Sequence, residues 1–138
     1  MPKKILFAFD GSDASQRAFD VALEMAEKFQ APLLVLAVVR LPEPITSLEL
    51  GALLDNAKEH YEQSFAGLRE RAAARGVALE TAIEVGHPAE HIVGRAEREH
   101  YDHIIMGRSG TTQFARLLLG SVSERVLSYA HCPVTVVK

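Results

Sequence analysis

Cysteine is nearly missing: the 138-residue chain has one, Cys132, so no intrachain disulfide can form and no thiolate cluster is available for a metal. An excess of positive charge is missing too. Lys and Arg number 15 against 18 Asp and Glu, a net charge of −3, which argues against nucleic acid and anionic membranes as partners. The longest apolar run, Ala31 to Val39, is about half of what a membrane span needs. Ile5 to Phe9 after Lys3-Lys4 is too short for a signal-peptide core, so a cytoplasmic protein is expected. There is no internal repeat or low-complexity tract. With 48% hydrophobic and 24% charged residues, the sequence reads as a single domain, 1–138, large enough to bury a core without a staple.

What is present is an alternation of short branched-apolar runs and longer amphipathic stretches. Ile5 to Phe9, Leu33 to Val39, Leu79 to Val85, Ile104 to Met106 and Val134 to Val137 are short enough for buried strands. Ala18, Val21, Ala22, Met25, Ala26 and Phe29 recur at helical spacing, with Asp13 and Gln16 spaced as a capping box and Pro32 as a stop. A second, longer stripe runs from Leu50 to Ala72 and ends near Gly76, after a loop from Leu41 to Ser47. Pro88 opens a third helix that carries Ala89, Ile92, Val93 and Ala96, and the pair Ser121 and Glu124 opens a fourth. The order β-α-β-α-β-α-β-α-β predicts a doubly wound α/β domain, with a parallel sheet covered on both faces through right-handed crossovers.

In such sheets ligands sit outside the carboxyl ends of the strands. Strand one runs into Asp10-Gly11-Ser12, strand two into Val39-Arg40, and strand four into Met106-Gly107-Arg108-Ser109-Gly110. The connection after strand four, Gly107 to Gly120, is far longer than the usual 2–6 or so residues of a strand-to-helix loop. Gly107 and Gly110 open it, and Gly120-Ser121 closes it at a helix start. Glycines admit an anion to backbone N–H groups, and a helix N-terminus supplies unpaired donors, so the segment reads as a phosphate cradle. Ser121 and Ser123 add hydroxyls. Asp10 can accept from a ribose hydroxyl or approach a divalent cation, directly or through water.

Gly107, Gly110, Gly120 and Ser121 fit the Gly-x2-Gly-x9-Gly-(Ser/Thr) pattern of nucleotide-binding universal stress proteins, and the chain resembles that family throughout. Asp-Gly-Ser at 10–12, Gly86-His87-Pro88, Leu117 to Val122 and Cys132-Pro133-Val134 carry the rest of the likeness. The resemblance implies a five-stranded parallel sheet of order 3-2-1-4-5, usually dimeric, that holds ATP with Mg or Mn as counter-ion. It places Asp10 near the adenosine, Val38 on the adenine pocket and Met106-Gly107 at the turn leaving strand four. Gly110, Gly120, Ser121, Val122 and Ser123 take the phosphate-facing positions. Ala8 stands where some ATP-binding members have proline, and Thr111 to Phe114 lacks their mid-loop Gly or Lys.

Plainer roles stand beside these. Gly107 and Gly110 also suit a turn, Ser121 a helix cap, and Asp10 a brace for the next turn. Arg108 and Arg116 flank the cradle, either against phosphate or in solvent. His87 and His91 stand four apart without a third metal ligand, and Cys132 suits a small buried apolar position. No Gly-x-Ser-x-Gly elbow, Walker lysine or acid pair is present, so a binding module with at most slow hydrolysis is expected, and the resemblance implies ATP occupancy that acts as a regulatory signal. The alternative is a nucleotide-independent, chaperone-like dimer. A nucleotidyl transferase would need His-x-Gly-His or Ser-Gly-Gly-x-Asp after strand one, and Asp10-Gly11-Ser12-Asp13 is neither. The last strand, Val134 to Val137, falls at a sheet edge where a two-fold partner would cover it, and the protein that reads such a dimer is unknown.

Overall fold

The computed structural model describes residues 2–41, 44–108 and 120–138. The apolar runs become β1 (Ile5–Ala8), β2 (Leu33–Val39), β3 (Leu79–Val85), β4 (His103–Gly107) and β5 (Val134–Val137). Between them lie α1 (Asp13–Phe29), α2 (Ser47–Ala74), α3 (Pro88–Arg98) and α4 (Ser121–Tyr129). All strand pairs are parallel and the order is β3-β2-β1-β4-β5. The sheet order is therefore the expected one.

Side chains alternate across the sheet with a period of two. Ile5 and Phe7 of β1, Val35 of β2 and Ile105 of β4 pack with α1 and α2 through Phe19, Leu23 and Phe65. Leu6, Leu36, Ile104 and Met106 pack on the other face with α3 and α4 through Ile92, Ala96 and Val126. The central strands are buried on both faces, which is why they read as continuous apolar runs in the sequence.

Several boundaries differ from the sequence reading. Ser12, not Asp13, caps α1: its side chain accepts from the Ser15 N–H, while its own N–H donates to Asp10 Oδ1 at 2.9 Å. The short carboxylate of Asp10 fixes an extended Ser12, so the helix begins one residue later. Gly120, not Ser121, caps α4, with no side-chain bond, and Ser121 is the first helical residue. The α2 start was missed as well. Thr46 and Glu49 form a complete capping box there, so the helix begins at Ser47. At 28 residues α2 is roughly 42 Å long against roughly 23 Å for the 7-residue β3. Its first turns overhang the sheet, so Leu50, Leu53 and Leu54 are only half-buried. Among the described residues no helix is long and apolar enough to cross a membrane.

Candidate functional site

The sheet order reverses direction between β1 and β4: β1 leads outward to β2 and β3, while β4 leads outward to β5. The crossovers therefore part there, and the carboxyl ends of β1 and β4 open a crevice. Register fixes its floor. Ala8 stands opposite Leu36 on one side and Met106 on the other. The Phe9 N–H donates to the Leu36 carbonyl at 2.9 Å and extends the pairing past the end of β1. Beyond it the chain turns sharply, so Asp10 leaves the sheet exposed at the rim.

A cleft lies at this point. Six of the sequence-predicted residues line it: Ala8, Asp10, Val38, Met106, Gly107 and Val122. They come from β1 and the turn after it, β2, β4 and α4, separated by up to 114 positions in sequence and gathered by the topology. Phe9, Ser15, Leu36, Arg40, Pro88 and Ile92 complete the lining and were not singled out. Leu36 and Ile92 carry no signal that separates them from core residues. Arg40 did carry one, because it is the first residue after β2 and the carboxyl end is where a ligand is expected.

The other predicted residues divide. Ser121 is exposed and faces an adjoining cleft with Val122. Ser123 is fully buried, and its hydroxyl donates to the Gly107 carbonyl at 3.4 Å, which ties α4 to the end of β4. Gly120 is the N-cap of α4. Arg108 is half-buried, and its N–H donates to the Val137 carbonyl at 2.7 Å. Gly110, Arg116 and the rest of 109–119 lie outside the described residues.

Asp10 and Arg40, both exposed, bring opposite charges to the described lining of the cleft. One carboxylate oxygen braces the turn through Ser12, as the plainer reading expected, and the exposed group remains available to a further donor. Tyr61 of α2 stacks on Phe65, with ring centroids 5.9 Å apart. Burial, reinforced by the Asp10 charge, raises the Tyr61 hydroxyl above its ordinary pKa of 10.0, so it stays protonated.

An ion-pair chain ties α3 to β3. Glu84 of β3 pairs with His91 Nδ1 at 2.7 Å and with Arg95 Nη1 at 2.8 Å, and Arg95 also meets Glu99. Burial would lift the Glu84 carboxyl, but hydrogen bonds from His91 and Arg95 outweigh it and hold the group below its ordinary 4.5. His91 is thus engaged with Glu84. Among the described residues no group of three or more His, Cys, Asp or Glu is placed to hold a metal. Cys132 is half-buried, packed beside the α3–α4 core, and burial raises its thiol pKa.

An apolar cleft with one carboxylate at its rim and a helix N-terminus beside it suits a flat aromatic ring joined to a polar, anionic tail. Comparison with known proteins identifies the family. The chain matches the family model described as the Universal stress protein family over residues 1–138. It is 38% identical to a universal stress protein of Methanocaldococcus jannaschii, over 99% of this chain and 82% of that protein. It is 35% identical to the universal stress protein YxiE of Bacillus subtilis, over the full length of both. Among solved structures, the universal stress protein UspA of Lactobacillus plantarum superposes with a TM-score of 0.87 at 30% identity, covering 99% of this chain and 97% of that one. A universal stress protein in complex with cAMP superposes with a TM-score of 0.76 at 26% identity, covering 99% and 97%.

Proposed function

The chain belongs to the universal stress protein family, and from that premise we propose that it is an ATP-binding regulatory protein of the stress response, acting in the cytoplasm as a homodimer. The observation that carries this reading is the convergence of Ala8, Asp10, Val38, Met106, Gly107 and Val122 on one cleft at the carboxyl edge. Its apolar floor suits adenine. Asp10 at the rim suits a ribose hydroxyl, and the start of α4 at Gly120-Ser121 suits phosphate. The solved relative in complex with cAMP supports an adenine nucleotide as the ligand class.

A lone exposed carboxylate also fits Mg or Mn carried in on the triphosphate. Mg²⁺ keeps several waters and needs only one or two carboxylates besides the phosphates. Asp10 would serve directly or through water, and the ion would neutralise charge on the phosphates.

Occupancy becomes a signal through the end of β4. Met106 and Gly107 line the cleft, and the next residue, Arg108, donates its N–H to Val137 of β5. β5 is the edge strand, paired only with β4 among the described residues. A parallel edge of this kind is a ready surface for a second copy, and a two-fold contact is the simplest cover. A ligand that orders the end of β4 thus acts one hydrogen bond away from the proposed dimer surface.

Hydrogen exchange with and without ATP–Mg²⁺ tests this. The account expects slower exchange both at the cleft and in residues 134–137. Identical exchange in the two states would overturn it.

A further inference from the structure

Of the six histidines, only His103 stands in a strand, as the first residue of β4 and at the opposite end of the sheet from the cleft. It pairs with Ile5 of β1 and alternates with Ile105, so its ring lies on the α1 face of the sheet. Thr135 of β5 stands opposite Ile105 on that same face, and His103 Nε2 meets its hydroxyl at 2.8 Å. This diagonal pair ties β4 to β5 between two backbone bonds, from the Ile104 N–H to the Pro133 carbonyl at 3.0 Å and from the Arg108 N–H to the Val137 carbonyl at 2.7 Å. The tie matters because β5 is an edge. Its four residues are only half-buried, and among the described residues β4 is its one neighbour in the sheet.

Every element beside the ring brings titratable groups. Asp102 precedes His103 on its own strand, and its carboxylate accepts from the backbone N–H groups of Lys3 and Lys4 before β1. The Lys3 side chain is exposed, and Lys4 Nζ donates to the Glu99 carbonyl. Before β5 stand His131, which pairs with Glu97 at 3.3 Å, and Cys132, which packs on the opposite face of the sheet. On α1, Glu24 and Lys28 share the side of Arg17, whose Nε donates to the Lys138 carbonyl after β5, and they pair with each other at 3.2 Å in solvent. Of all these charges Asp102 is the one that favours the imidazolium, and burial outweighs it, so His103 holds its proton less firmly than at the ordinary 6.5. The bond to Thr135 survives protonation, with the hydroxyl as acceptor. What changes is the cost of keeping the ring from water, and a four-residue edge strand is the part of its surroundings that can open locally.

We propose that His103 is a pH-sensitive latch on the edge strand: neutral, it holds β5 to β4 through Thr135, and protonated, it favours a locally open β5. The latch needs neither a nucleotide nor a second copy of the chain. Because the folded state lowers the proton affinity of this group, the stability it lends to β5 is full above about pH 6.5 and is lost as pH falls through the lower folded value.

The test is amide hydrogen exchange of residues 134–137 at about pH 7.5 and about pH 5, corrected for the intrinsic pH dependence of exchange and referred to β1 and β2 in the same sample. Wild type, His103→Gln and Thr135→Val are compared, with circular dichroism as the check on folding. Glutamine keeps an amide that can bond Thr135 and has no charge to gain, while valine leaves the imidazole and removes its partner. NMR titration of the ring, assigned by its absence from His103→Gln, follows its protonation directly. The latch predicts that His103 titrates below 6.5 and that protection of 134–137 in wild type falls at least about threefold on acidification, in step with that titration. His103→Gln should change by less than about 1.5-fold over the same range, and Thr135→Val should already be less protected at about pH 7.5. A ring that titrates at or above 6.5, an equal fall in wild type and His103→Gln, or full protection in Thr135→Val at about pH 7.5 would each overturn the latch.

Discussion

Gly107 at the end of β4 lies so close to Ser15 in the first turn of α1 that a Cβ at position 107 would fall 2.6 Å from the Ser15 nitrogen. The Ala14 carbonyl carbon would be equally near, at 2.6 Å. Both are backbone atoms, which cannot swing aside as a side-chain tip would. This glycine is therefore required by helix–strand packing, independently of any phosphate. Gly107→Ala should destabilise the protein by about 1–3 kcal/mol, read as a lowered urea midpoint, and loss of ATP binding in that variant would follow from displaced α1.

Asp10 offers a cleaner separation of fold from ligand. Asn keeps an oxygen for the Ser12 N–H, so Asp10→Asn should leave thermal stability within about 0.5 kcal/mol of wild type, because the turn is preserved. It removes the charge, so the account expects ATP to lose affinity chiefly in the presence of Mg²⁺. Titration with and without the cation measures this. Equal loss in both would confine Asp10 to the nucleoside.

Most of the sheet was legible because β1, β2 and β4 are buried on both faces, and burial of that kind writes itself as branched apolar runs. Helix starts were harder. Asp13 and Ser121 both had capping-box spacing, yet Ser12 and Gly120 occupy the caps, because the Asp10 brace and the Gly120 conformation decide where the extended residue falls. In the cleft, Asp10 and Gly107 stood out as residues that follow or end a strand, while Val38, Met106 and Val122 were found through the family resemblance. Leu36 and Ile92 were not, since a residue that lines both core and cleft looks the same as one that lines only the core. Pro88 was read as a helix opener, and its place on both clefts depends on how β2 meets the β3–α3 turn.

Glu84 gives the protein an acid limb. Its carboxyl is held below the ordinary 4.5 in the folded state, so the unfolded chain takes up a proton first as pH falls. The stability this group contributes is full above about pH 4.5 and is lost as pH drops through the depressed folded value. Glu84→Gln should therefore be less stable than wild type at pH 7, and the gap should narrow below pH 4.5. Urea midpoints at pH 7 and at pH 3 check this. A gap that stays constant would show that Glu84 acts through packing alone.

The proposed dimer surface can be cut while the pairing of β5 with β4 is kept. Pro133 and Val137 offer their carbonyls to β4, so by alternation Val134 and Val136 direct their backbone groups to the open edge. Val136→Pro removes an outward N–H and leaves the β4 ladder intact, and because the Val136 side chain packs on the α3–α4 core, circular dichroism checks that the variant is folded. Light scattering after size exclusion should give a dimer for wild type and a monomer for the variant. A monomeric wild type at micromolar concentration would contradict the edge-strand assignment.

The most direct measurement is nucleotide binding itself. The protein is purified, denatured, and any released nucleotide identified by mass spectrometry; the refolded or nucleotide-free protein and Gly120→Val are then titrated with ATP–Mg²⁺. The account predicts a released adenine nucleotide, micromolar or tighter binding to wild type, and loss of that binding when a valine stands at the N-cap of α4. No released nucleotide and no heat of binding at several temperatures would contradict it and leave Gly107 and Gly120 as packing and capping residues of a protein that works without a ligand.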